Sequence, residues 1–130
     1  MKSQMQYIDT DGGRSRYYRY SRIGDCVIRS VALATGADYQ DIFEEFTDRA
    51  VRIGVFANDD RIWRSYLKEL GWQEHRLPNP RPLVNTIRVS QAVVHCRSGY
   101  SGHLTAVVQG NLHDIWDARQ CKAYAYWQPQ

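Results

Sequence analysis

Apolar residues recur at helical spacing in three stretches of the first half of the chain and at strand spacing near its end. Between Gly24 and Gly36, Val27, Ile28 and Val31 form one face, with Leu33 and Ala34 beside it, which predicts a helix with Cys26 in its first turn. Asp25 stands where an N-cap carboxylate accepts from an orphan amide. Gly36 stands where a left-handed C-cap belongs. Asp38 then caps a second helix from Tyr39 to Arg52, whose face is Tyr39, Ile42, Phe43, Phe46 and Ala50. Asp41, Glu44 and Glu45 suit its early turns through the helix dipole. Asn58 or Asp59 caps a third helix, Asp60 to Leu70, closed by Gly71. Its face is Ile62, Trp63, Tyr66, Leu67 and Leu70, with Trp72 folding back on it.

The alternate prolines of Leu77–Leu83 remove backbone donors and make an extended connector. Beyond it the period changes. Ala92–Cys96, His103–Val108, Leu112–Asp117 and Lys122–Trp127 read as strands, with Gly99–Gly102 a loop and a tight turn around Gly110-Asn111. Helices first and an antiparallel sheet second make an α+β layout. Residues 1–22 are polar and read as an arm, and residues 23–130 as a single domain.

Composition narrows the class. The chain has 130 residues, 43% hydrophobic and 24% charged, enough for one domain with a real core. No apolar run nears the ~20 residues of a membrane span, and the first residues lack the apolar centre of a secretory signal. Both favour a reducing, cytoplasmic setting. Cys26, Cys96 and Cys121 match neither a disulfide framework nor a metal knuckle. A net charge of +3 permits an acidic partner without demanding one.

Cys26 at the positive end of a buried helix is a thiol placed to ionise. Nucleophilic chemistry also needs a histidine to hold and return the proton, and a polar group to orient the ring. His103 opens a strand just after Ser101-Gly102, where the glycine leaves space for a substrate. Hairpin register decides the third partner. A three-residue loop, Gln109–Asn111, sets Val108 against Leu112 and His103 against Asp117, on one face. A two-residue loop, Gly110-Asn111, turns Asp117 away and brings Asp114 to the histidine's face. The three-residue loop is the expected one, making Asp117 the orienter and Asp114 the alternative.

Three segments resemble the papain-like cysteine peptidase fold, in its compact bacteriocin-processing branch. Asp25–Ala32 resembles that family's nucleophile helix, Gly102–Gly110 its histidine strand, and Ile115-Trp116-Asp117 the strand whose end carries Asn or Asp. The order Cys, His, Asp is the family's. The resemblance implies a papain-like fold with Cys26 as nucleophile, His103 as base and acid, and Asp117 as orienter. It implies a cysteine-dependent hydrolase or acyl transferase acting on a peptide, isopeptide or other amide or thioester. Tyr20 stands where the family usually has a glutamine that donates to the oxyanion. The expected hole is therefore the Cys26 amide with Tyr20, Ser21 or Arg22, and Ser101 or Tyr100 lines the cleft.

Two other readings compete. His95, Cys96, His103, His113, Asp114 and Cys121 are zinc-type ligands, but their spacing matches no compact zinc motif, so neither metal nor cofactor is expected. Residues 14–22 interleave arginine with tyrosine, as a nucleic-acid grip would. No matching basic stripe follows, so a solvated loop over the core is the expectation and nucleic acid is not an expected partner. A papain-like scaffold reused to bind a host protein or nucleic acid, as in a phage-encoded protein, is the alternative to an enzyme.

Overall fold

A computed structural model describes residues 4–18 and 24–130. Three helices and six strands form an α+β fold around one mixed sheet. The helices are α1 (Cys26–Thr35), α2 (Tyr39–Ile53) and α3 (Asp60–Glu69). The strands are β1 (Tyr7–Asp9), β2 (Gln73–Arg76), β3 (Gln91–Ser98), β4 (Ser101–Val108), β5 (Asn111–Asp114) and β6 (Lys122–Gln128). Their order across the sheet is β1-β5-β4-β3-β6-β2.

The apolar faces read from the sequence are the ones buried. Val31, Phe46, Ile42, Ile62, Trp63 and Leu67 are almost fully covered and meet Val93, Leu104, Ala106 and Trp127 of the sheet. Trp72 packs against this cluster, whereas Leu70 is exposed. Val94, Cys96, Val107 and Leu112 form a second cluster with Met5, Val84, Ile87 and Ala118. Asp38 and Asp59 cap α2 and α3 through the amides of Gln40 and Arg61.

Three expectations change. The sheet is mixed rather than antiparallel, because β1 pairs in parallel with β5. Tyr7–Asp9 thus join the sheet, with Met5 buried in the second cluster. Asp25 occupies the N-cap position of α1 but makes no side-chain cap. Its carboxylate is taken instead by Arg29, Arg14 and the Tyr39 hydroxyl. Finally, the β4–β5 turn is Gln109-Gly110, both at positive φ (53° and 79°), which are the signs a type I′ hairpin requires. Val108 therefore faces Asn111, and neither expected register forms.

Candidate active site

The β4–β5 ladder ends at Ala106 and His113, leaving the start of β4 without a strand on that side. Helix α1 packs there, chiefly on β4. Ser30 Oγ donates to the Leu104 carbonyl at 2.6 Å, and the Leu104 backbone N–H reaches the Cys26 sulfur. A helix N-terminus is thus fastened along a strand edge beside His103, and Cys26 and His103 line one cleft, each close enough to shift the other's ionisation.

The ring's Nε2 lies 2.7 Å from Asp114 Oδ2, which leaves Nδ1 for the thiol. Asp114 is 2% exposed. Its Oδ1 accepts from the Ile115 amide at 2.7 Å and from an Arg29 guanidinium nitrogen at 3.3 Å. The Thr105 hydroxyl adds to the field at Asp114 but falls short of hydrogen-bond geometry and is buried without a partner. Trp116 covers the pair, its ring centroid 4.5 Å from that of His103.

The preferred orienter of the sequence reading, Asp117, is not at the site. Strand β5 ends at Asp114, and Asp117 folds onto Arg119 with bonds of 2.8 and 2.9 Å. The one-residue difference in turn position explains this, since it inverts which residues share the face of His103. The structure therefore brings together Cys26, His103 and Asp114. Tyr20, Ser21 and Arg22 lie outside the described residues. Ser101 is exposed at the start of β4 and is not in the cleft, and Tyr100 is fully exposed at the hairpin tip.

Charge follows this geometry. Burial alone would raise the Cys26 thiol, but the His103 and Leu104 hydrogen bonds, with the positive charges of His103 and Arg29, outweigh it and leave the thiol lowered. Burial alone would lower His103, but its bonds to Asp114 and Cys26 and their negative charges push it up to about 9. Asp114, raised by burial, is brought below the ordinary carboxyl range mainly by His103. Each shift favours the charged form: thiolate, imidazolium and carboxylate in series. Cys96 is driven in the opposite direction by burial and by Cys121, so a free thiol in this fold is not acidic by default.

Two contributors escaped the sequence reading. Arg29 is 4% exposed and bridges Asp25 and Asp114 from within α1. Its only sequence signal is a charge inside an apolar helix face. Asn58 lines the cleft of about 180 Å³ beside Cys26, together with Asp60, Trp63, His95, Gly102 and His103. Its side-chain nitrogen sits near Gly24, two residues before the cysteine.

No family model matches the chain, and no curated protein or solved structure matches it. Among the described residues no helix is long and apolar enough to cross a membrane, and no cluster of His, Cys, Asp and Glu that could hold a metal is present.

Proposed function

We propose that this chain is a papain-like cysteine-dependent hydrolase or acyl transferase that opens an amide or thioester bond through an acyl-enzyme on Cys26. One observation carries the reading: Cys26 begins a buried helix and shares a cleft with His103, whose ring is held by a buried carboxylate, Asp114. The order helix nucleophile, strand histidine, neighbouring-strand carboxylate is the one the papain-like resemblance implies.

The thiolate sulfur attacks the carbonyl carbon, and the carbonyl electron pair moves to oxygen. The Cys26 backbone N–H, an orphan donor at the helix start, faces that oxygen. Asn58 supplies the second donor in place of the family's glutamine, its side chain lining the same cleft and making no hydrogen bond among the described residues. As the tetrahedral intermediate collapses, the bond to the leaving amine or thiol breaks and the His103 imidazolium gives that group its proton. Neutral His103 then takes a proton from water, or from an acceptor amine or thiol, whose heteroatom attacks the acyl carbon. The C–S bond breaks and the thiolate–imidazolium pair is restored. Asp114 keeps the ring oriented and stabilises its charge, and Trp116 packs against the ring.

Incubation with p-nitrophenyl acetate tests this. A burst of p-nitrophenolate and an acetyl group on Cys26 alone are expected, with both lost in Cys26→Ser and the burst lost in His103→Ala. Acetylation spread over Cys26, Cys96 and Cys121 without turnover would point instead to a scaffold used for binding.

A further inference from the structure

His95 forms a wall shared by two cavities, the Cys26 cleft and a larger groove of about 690 Å³. The groove is lined by Arg64, Arg76, Arg81, Glu74 and Tyr124 among others. Tyr124 carries two guanidinium groups, Arg81 at 4.1 Å and Arg97 at 5.4 Å from its ring centroid. Arg64 lies over both Trp63 and Trp127, at 4.9 and 5.0 Å. Stacking fixes a guanidinium plane while leaving its N–H edge to bond.

The local negative charge does not meet this demand. Glu74 is shared by Arg76 at 3.1 Å and Arg64 at 3.8 Å, and Asp60 reaches Arg64 only at 3.8 Å. Among the described residues no carboxylate pairs with Arg81 or Arg97. Arg81 has one bond, to the Asn79 side chain, and its buried Nε–H has no partner.

We propose that this groove is the substrate-binding extension of the Cys26 cleft and takes an acidic polypeptide segment, whose Asp or Glu side chains pair with Arg81, Arg97 and Arg64 while the carbonyl to be attacked lies at Cys26. The assignment rests on the acyl-enzyme reading and adds a substrate class to it. Carboxylate is the group an arginine fork matches with two parallel bonds, and His95, lining both cavities, sets the groove directly beside the cleft. The few cations, Arg64 and Arg81 in the groove and Arg97 beside it over Tyr124, suit a short acidic stretch better than a nucleic-acid backbone, which needs a longer basic track.

The test uses fluorescein-labelled decapeptides identical except for Glu, Gln or Lys at four central positions, with anisotropy as the readout. The Glu peptide should bind the full chain about ten-fold or more tighter than the Gln peptide, from charge-assisted bonds. Arg81→Gln with Arg97→Gln should remove that preference. Arg52→Gln with Arg88→Gln, the same charge change away from the groove, should keep it. A chloroacetyl group on the same peptides should label Cys26 fastest on the Glu version, in the same ratio. Equal binding of the Glu and Gln peptides, equal loss in the Arg52/Arg88 control, or tighter binding of an oligothymidylate of equal charge would overturn the assignment. The iodoacetamide rate at Cys26, read in parallel, reports the Cys–His pair alone, so failure of the groove and failure of the active site give different results.

Discussion

Exchanging Asp114 for alanine should damage both the fold and the chemistry, whereas the same change at Asp117 should do neither. Asp114 is 2% exposed and holds two cationic partners, His103 at 2.7 Å and Arg29 at 3.3 Å. Removing one member of a buried charged set costs about 3–5 kcal/mol, because the remaining charges lose their partner without regaining water. Arg29 keeps Asp25, which places the expected loss near the lower end, about 3 kcal/mol. With a urea dependence of about 2 kcal/mol per molar, the midpoint should fall by about 1.5 M. Asp114→Asn retains the volume and an acceptor for the Ile115 amide, so it should fold with a smaller loss. It removes the negative charge and weakens the hydrogen bond that raise His103, and the Cys26 alkylation rate at pH 6 should drop about ten-fold, a change of about one pKa unit. Asp117 forms a solvent-facing pair with Arg119, and surface pairs contribute little. Asp117→Ala should leave the urea midpoint and the alkylation rate unchanged. The assays are urea unfolding followed by tryptophan fluorescence and iodoacetamide labelling read by mass spectrometry. Slowed labelling in Asp117→Ala, or unchanged labelling in Asp114→Asn, would refute the assignment of the orienting carboxylate.

Two further outcomes follow from the site. Asn58→Ala should reduce p-nitrophenyl acetate turnover by about 10²–10³, the effect of one lost oxyanion donor, while leaving iodoacetamide labelling of Cys26 intact. Loss of labelling would make Asn58 a structural residue instead. His103 also links stability to pH. Its folded value, about 9, lies above the ordinary 6.5, so its contribution is complete below about 6.5 and lost as pH rises through about 9. The stability difference between wild type and His103→Gln should vanish across that window, and a constant difference from pH 6 to 10 would contradict the raised value.

The helices were legible because burial enforces a period. Residues 27–34, 39–50 and 62–67 must turn an apolar face to the core, and Gly36 ends its helix at positive φ as its position suggested. The cysteine and histidine could be read for the same reason, since each sits at the start of a strongly patterned element. Strands β1 and β2 could not. They are three and four residues long and largely exposed, so no alternation marks them, and β1 pairs with a strand more than a hundred positions away. Asp114 was the less favoured carboxylate because the choice hung on the placement of one turn. Gln109, not a usual left-handed residue, takes positive φ there, whereas the expected loop ran one residue longer, to Asn111. Arg29 was hidden because a charge in a helix normally faces water, and only the tertiary meeting of Asp25 and Asp114 explains its burial. Asn58 left no signal beyond a possible helix cap, as loop residues that enter a cleft seldom follow a period.

The most direct measurement is the pH dependence of iodoacetamide labelling at Cys26, Cys96 and Cys121 in wild type and His103→Ala. The account expects Cys26 to react well below the pH of an ordinary thiol, near 8.5, ahead of the other two, and to lose this lead in the mutant. A Cys26 that titrates at or above the ordinary value, with no response to His103→Ala, would contradict an activated Cys26–His103 pair.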